Sequence, residues 1–212
     1  MIRIDLHLHT RFSGDSVISP KQVVDALHAH PTVKGVAITD HDTLEGYFQV
    51  RKLATTYEDL VIIPGVEVST KQGDIILLGT EEKPAYMSQL ESVTDYAKER
   101  TALIVIPHPY RVQGIGGAAE ATLADAVEVI NPSATSQENK LAEKLAKARN
   151  MPGVAGSDGH RPDQMWAAYT EIYAEPNVDS VLKAIKNGRV KAIQTKRLGR
   201  HLQSISLGIH WI

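Results

Sequence analysis

The chain has 212 residues, of which 42% are hydrophobic and 23% are charged, as expected of a soluble globular domain. A net charge of -2 provides no overall positive field for nucleic acid or anionic lipid, and no apolar run has the length of a membrane helix or a signal peptide, so we expect a cytoplasmic protein without a membrane partner. With no cysteine, the chain forms no disulfide or thiolate zinc site, and only histidine, carboxylate and amide side chains are available to hold a cation.

The first predicted strand carries a run of possible metal ligands. Within residues 4–10, the polar Asp5, His7 and His9 alternate with three aliphatic residues. Because successive side chains of a strand point to opposite faces, this pattern predicts that the three polar side chains share one face. Imidazole nitrogen and carboxylate oxygen are usual ligands of divalent cations. The alternative is a pair of strand histidines with structural hydrogen bonds, and so short a motif does not separate the two.

Predicted helices and strands alternate along the rest of the chain. Ser19 and Pro20 mark the start of the first helix as its N-cap and first helical residue. The pattern predicts helices over residues 20–30, 44–57, 87–100, 136–150 and 178–186, and strands over residues 35–39, 60–69, 74–78, 102–106, 126–130, 153–156, 166–174 and 189–194. This alternation, without a linker or repeat, predicts one α/β domain with a parallel sheet, in which the third and fourth strands are also close enough in sequence to pair directly.

Polar side chains recur where the predicted strands end. They are His7, His9, Asp40, His41, Glu67, His108, Asn131, Asp158 and His160. In a closed α/β barrel, the carboxyl ends of the strands meet at one face, where active sites are built. Six strands that each deliver a histidine, a carboxylate or an amide to one rim predict a site for several metal ions.

Five of these segments resemble, in order, the motifs of the polymerase-and-histidinol-phosphatase (PHP) family. They are residues 5–10, 38–43, 64–69, 107–109 and 157–160. The resemblance implies a distorted (β/α)7 TIM-like barrel that forms a single domain over residues 1–212, with the motifs inside residues 1–165 and the C-terminal part completing the barrel. It also implies two or three divalent ions (manganese, zinc or iron) and the hydrolysis of phosphate esters.

The resemblance further implies nine metal ligands: His7, His9, Asp15, His41, Glu67, His108, Asn131, Asp158 and His160. A first ion would lie between the histidines of the first strand, Asp158 and Glu67, and Glu67 would bridge to a second ion bound by His108. A third ion would lie with His41 and His160. Asp15 would be its extra ligand, although residues 12–15 contain one residue more than the common form of that motif.

Asn131 stands where many family members have histidine. An amide oxygen is a weaker ligand than imidazole nitrogen, so the second ion would be held loosely or would be a harder ion such as manganese.

The expected chemistry assigns catalytic roles to four residues: Glu67, His160, Asp40 and Arg111. A hydroxide held between two ions would attack phosphorus, with Glu67 as the bridging ligand. His160 or Asp40 would assist proton transfer to the leaving group, and Asp40 could equally orient a histidine from behind. Arg111 could pair with the substrate phosphate, and a surface role is the alternative. The remaining histidines lie off the pattern and are interpreted as structural or solvated: His28, His30, His201 and His210.

Several functions stay open at this point. The leading one is a metal-dependent phosphoesterase that hydrolyses small phosphate monoesters, nucleotides or oligonucleotide ends, since residues 38–43 look most like members of that type. Such members often carry an inserted segment that this chain lacks. The alternatives are a histidinol-phosphate phosphatase, which Asn131 makes less favourable, a metal-dependent amidohydrolase, which would usually need a bridging lysine or two further histidines, and a non-catalytic scaffold module. Apart from a small phosphorylated substrate, no obligate partner is expected.

Overall fold

A computed structural model describes residues 1–82 and 88–195 of the chain. His201 and His210 therefore lie outside the described residues. The strands of the described part are β1 (Ile2–Leu8), β2 (Val33–Ile38), β3 (Val61–Thr70), β4 (Gly73–Leu78), β5 (Leu103–Ile106), β6 (Ala126–Ile130), β7 (Gly153–Ala155), β8 (Ala168–Ile172) and β9 (Val190–Gln194). Its helices are α1 (Pro20–Ala29), α2 (Glu45–Ala54), α3 (Leu90–Glu99), α4 (Ser136–Ala148) and α5 (Val178–Lys186). Within these residues, every helix is too short or too polar to cross a membrane.

The nine strands form one sheet in the order β7-β6-β5-β4-β3-β2-β1-β8-β9. The predicted α/β barrel-type fold is confirmed, with a nearly closed sheet. The expectation of a parallel sheet is wrong for three strands, because β4, β8 and β9 pair only in antiparallel fashion. For β4 the reason is the two-residue connection from β3, since parallel neighbours need a crossover of a dozen residues or more.

The sheet closes between β1 and the segment that follows β7. The Asp158 N–H donates to the carbonyl of His7 at 2.8 Å, and the His9 N–H donates to the carbonyl of Gly159 at 3.1 Å. At Gly156 a Cβ would collide with His7, so the absence of a side chain permits this approach. Closure therefore places Asp158 beside the two histidines of β1, although about 150 residues separate them in sequence.

Apolar side chains fill the inside of the barrel and its contacts with the helices. The interior cluster contains Ile4, Leu6, Ile63 and Ile76, all at most 3% exposed. Two further clusters lie between the sheet and the helices, one under α1 and α2 and the other under α3 and α4. Burying each large aliphatic side chain contributes about 1.5–3 kcal/mol, so this layer holds the strand ends in place.

The strict alternation predicted for β1 is wrong. Leu6 packs inside the barrel, whereas Leu8 packs outside it against α1 and α2. The pairing of β1 with β2 shifts register between Asp5 and Leu8, and such an irregularity moves the following side chains to the other face. His7 and His9 therefore point inward, while Asp5 accepts the backbone N–H groups of His7 and Ser157 at 3.2 and 2.8 Å.

Candidate metal centre

The carboxyl ends of the strands bring the predicted ligands together at one mouth of the barrel. Eight of the nine predicted ligands fall into three overlapping groups whose ligand atoms lie within 4.8 Å of one another. The groups are His7 with His9 and Asp158, His7 with Glu67 and His108, and His9 with Asp15, His41 and His160.

The central group consists of His7, His9 and Asp158 together with Glu67, and it has the spacing of a coordination shell. His7 Nε2 and His9 Nε2 lie 3.0 Å apart, and each lies 3.1 Å from Glu67 Oε2. Asp158 Oδ1 lies 3.4 Å from the His9 nitrogen and 3.6 Å from the His7 nitrogen. Four ligands placed about 2.0–2.2 Å from one ion in a tetrahedron are about 3.3–3.6 Å apart, and octahedral neighbours are about 3.0 Å apart. The donor set therefore fits a divalent ion.

The charges of the central group also indicate a cation. All four side chains are at most 4% exposed. Burial opposes the charge of Glu67, but the nearby His7 and hydrogen bonds from three imidazoles hold its pKa well below the usual range. Burial likewise opposes a charged His9, yet hydrogen bonds to Asp158 and Glu67 raise its pKa to about 9. Buried carboxylates at such short range require positive charge, which protons on the histidines or a metal ion supply.

Glu67 lies at the junction of the groups. Its Oε2 faces His7 and His9 and lies 3.7 Å from His41 Nε2, whereas its Oε1 lies 3.1 Å from His108 Nε2. The backbone around Glu67 is held by the loop after β2, since its N–H donates to Asp40 and its carbonyl accepts from Asp42. This position matches the bridging role predicted from the sequence, which stays a prediction.

The outer group consists of Asp15, His41 and His160, with His9 at its inner side, and it is nearer to solvent than the central group. Asp15 Oδ2 lies 3.0 Å from His160 Nε2 and 3.7 Å from His41 Nε2. The two imidazoles are each 27% exposed and the carboxylate 49%. Despite the extra residue in its loop, Asp15 therefore reaches the place expected for it, on the side from which a substrate can approach.

Glu128 is a residue of the centre that the sequence analysis missed. It is 2% exposed, and its Oε1 lies 3.1 Å from His7 Nδ1. Its Oε2 accepts the backbone N–H of His108 at 2.9 Å. A carboxylate behind a histidine orients the ring and leaves the other nitrogen free for a metal. The available signal was a single acidic residue inside the apolar strand segment of residues 126–130.

The geometry does not support the expected ligand role of Asn131. Its oxygen accepts the backbone N–H of Ser133 at 2.8 Å, which orients its amide group. The Nδ2 group then donates to Glu128 at 2.9 Å and to Asp158 at 3.2 Å. Asn131 is thus placed at the centre as a donor that holds two carboxylates, because an N–H group cannot ligate a cation.

Arg111 and Asp40, the two other residues with predicted catalytic roles, have different surroundings. Arg111 reaches the centre, where its Nη1 lies 2.6 Å from Asp158 Oδ2. Asp40 is buried with both oxygens on the N–H and hydroxyl of Thr10, which favours the structural alternative for this residue. His28 lies in α1 and His30 directly after it, and their rings pair with those of Tyr57 and Trp166, respectively.

Comparison with known proteins agrees with this architecture. A family model described as PHP domain matches residues 5–111, and a model described as PHP-associated matches residues 136–190. The chain belongs to the PHP family. The first matched region carries six of the predicted ligands, up to and including His108, and the second carries Asp158 and His160.

Two curated relatives of this PHP protein come from the archaeon Methanocaldococcus jannaschii, and both are uncharacterized. The protein MJ1587 is 33% identical over 143 residues, which cover 61% of this chain and 82% of the relative. The protein MJ0417 is 29% identical over 189 residues, which cover 84% of this chain and 73% of the relative.

Three solved structures have a similar fold. An amidohydrolase from Chromobacterium violaceum has 20% identity and a TM-score of 0.61, over 75% of this chain and 88% of that chain. PsfC from Pseudomonas syringae has 17% identity and a TM-score of 0.67, over 92% and 93%. A candidate metal-dependent phosphoesterase from Bifidobacterium adolescentis has 15% identity and a TM-score of 0.59, over 74% and 87%.

Proposed function

We propose that this PHP-family protein is a metal-dependent hydrolase of phosphate monoesters, with nucleotides or oligonucleotide ends as the preferred substrates. The observation that carries the proposal is the junction at Glu67, whose Oε2 faces both the central group and His41 of the outer group. A carboxylate shared in this way suits two ions held close together. Such ions, when bound, neutralise charge on a phosphoryl group and lower the pKa of water.

The central and outer groups would hold these ions through different side chains. His7, His9 and Asp158 would hold one ion with Glu67, and they are almost fully buried. Asp15, His41 and His160 would hold the other at the solvent-facing side. The substrate phosphate would therefore meet the centre from the outer side, where water and leaving group can also exchange.

Arg111 would bind a phosphate oxygen at this mouth. Its guanidinium group is already held by Asp158, and its side chain remains 24% exposed. A planar guanidinium pairs with two oxygens of a phosphate, which a single ammonium group does less well. Asp158 would thereby orient Arg111 while its other oxygen serves the central group.

Hydrolysis assays with excess Mn²⁺ or Zn²⁺ test the proposal. We expect turnover of p-nitrophenyl phosphate and of nucleoside monophosphates, with far less turnover of N-acyl amides, histidinol phosphate or bis(p-nitrophenyl) phosphate. Replacing His9 or Asp158 by alanine should lower kcat at least a hundredfold with little change in fold by circular dichroism. His28→Ala, an exposed histidine on α1, is the matched control.

The same panel separates the alternatives. Turnover of the amides without the phosphates would favour an amidohydrolase, and preferential turnover of histidinol phosphate would favour that narrower phosphatase. Bound metal without turnover of any ester or amide would favour a scaffold. Near-normal phosphatase activity in the Asp158→Ala variant would contradict the proposed role of this centre.

A further inference from the structure

The third group, His7 with Glu67 and His108, has fewer donors of its own than the central and outer groups. Only Glu67 Oε1 and His108 Nε2 belong to it alone, and they lie 3.1 Å apart. Its third member, His7, has both nitrogens engaged elsewhere, since Nε2 belongs to the central group and Nδ1 faces Glu128. A catalytic zinc site usually has three protein ligands, so two donors fall short.

Among the described residues, no histidine or carboxylate other than His7 joins Glu67 and His108 as a close group of ligand atoms. Asp74, which lies further along the same face of β4, is hydrogen-bonded to Ser69 instead. Ile76 lies directly opposite Glu67 in the β3–β4 hairpin and is 1% exposed. Directly opposite residues of an antiparallel pair lie on the same face, so the position beside Glu67 is aliphatic. The next strand places Val105 opposite Ile76. Asn131, on the other side, turns its N–H group and not its oxygen toward the carboxylates.

His108 also lacks the second contact that a ligating histidine normally has. In a metal site, the ring nitrogen away from the ion is almost always hydrogen-bonded. The other four histidines of the centre follow this rule: His7 Nδ1 faces Glu128, His9 Nδ1 faces Ser13, His41 Nδ1 faces Ser69 and His160 Nδ1 faces the carbonyl of Asp158. Among the described residues, His108 Nδ1 is buried without a hydrogen-bond partner.

We propose that this chain holds two resident ions, the lower of the two numbers that the family resemblance implies, and that His108 is a hydrogen-bond donor to the bridging carboxylate of Glu67. In this role Nε2–H of His108 donates to Oε1 and positions Glu67 so that Oε2 faces the other two groups. His108 is thus a positioning residue, and neither the aliphatic Ile76 beside Glu67 nor the N–H group of Asn131 supplies a third donor.

Metal stoichiometry tests this inference without an activity assay. The purified chain is saturated with Zn²⁺, passed through a desalting column and analysed by elemental mass spectrometry against protein concentration. We expect two ions per chain in the wild type and in His108→Ala, and one ion in His41→Ala. Three ions in the wild type, with loss of one in His108→Ala, would overturn the inference.

A gain of binding provides the second arm. Ile76→His places an imidazole opposite Glu67, so we expect a third ion in a variant that melts cooperatively. A folded Ile76→His variant that still binds two ions would contradict the inference that the lack of a third donor prevents binding of a third ion. An anomalous difference map of wild-type crystals soaked in Zn²⁺ counts the ions independently, with two peaks expected.

This inference rests on the metal centre of the proposed function but not on its substrate. Two ions without phosphatase activity would contradict the proposed reaction and leave the ion count supported. Phosphatase activity with three ions would do the reverse.

Discussion

Removing the negative charge of Glu128 should weaken metal binding although Glu128 touches no ion itself. Three donors face its two buried oxygens: the ring Nδ1 of His7, the backbone N–H of His108 and the amide of Asn131, at 3.1, 2.9 and 2.9 Å. Glu128→Gln keeps the size of the side chain but replaces one acceptor by an N–H₂ group. At least one donor then faces another donor.

The size of the effect follows from which donor is lost. A carboxylate at Nδ1 of His7 keeps the hydrogen on that nitrogen, and Nε2 stays free as a ligand. If the new N–H₂ faces His7, the ring must place its hydrogen on Nε2 or turn away. Loss of such a supporting contact typically lowers metal affinity by about 10- to 100-fold, which corresponds to about 1.4–2.8 kcal/mol.

Competition between the protein and a chromogenic zinc chelator measures this change. Glu171→Gln is the matched control, because that glutamate lies on β8 at the opposite end of β1 and pairs with Arg3 at 3.0 Å. We expect its zinc affinity to stay within twofold of the wild type. A folded Glu128→Gln variant with equally unchanged affinity would refute the reasoning that Glu128 orients His7.

Three further predictions concern protons, packing and substrate. Burial opposes a charged His9, but the neighbouring carboxylates raise its pKa to about 9, so an ion must displace its proton at neutral pH. Zinc affinity should therefore fall about tenfold per pH unit below pH 9, and calorimetry in buffers of different ionisation enthalpy should detect the released proton. Equal zinc affinity at pH 6 and pH 8 would contradict this prediction. Gly46→Ala would drive a Cβ into Asp40 and should lower the free energy of unfolding by about 1–3 kcal/mol in urea titrations, while Gly117→Ala, which has open space around it, should be neutral. Arg111→Lys should raise KM for phosphate monoesters about tenfold with a smaller change in kcat, and an unchanged KM would exclude a direct phosphate contact.

Most of the candidate centre could be predicted from the sequence because two local properties carry it. Each ligand is a residue type with metal-binding chemistry, and each lies at or near the carboxyl end of a predicted strand, which must lie at one face of an α/β barrel. His7, His41, Glu67, Asp158 and His160 were recognised in this way, and the structure brings them together. Strand and helix order followed from apolar periodicity for the same reason, since it depends only on neighbours in the chain.

Tertiary structure decided what depends on pairing between distant strands. The register irregularity in β1 separates Asp5 from the two histidines, and no alternation within one strand reveals it. Glu128 becomes part of the centre only because β6 passes behind His7, and Ile76 matters only because hairpin register places it opposite Glu67. A sequence shows which side chains have suitable chemistry, but the distances among them, on which metal number and hydrogen-bond roles depend, arise from the cross-strand register of the closed sheet.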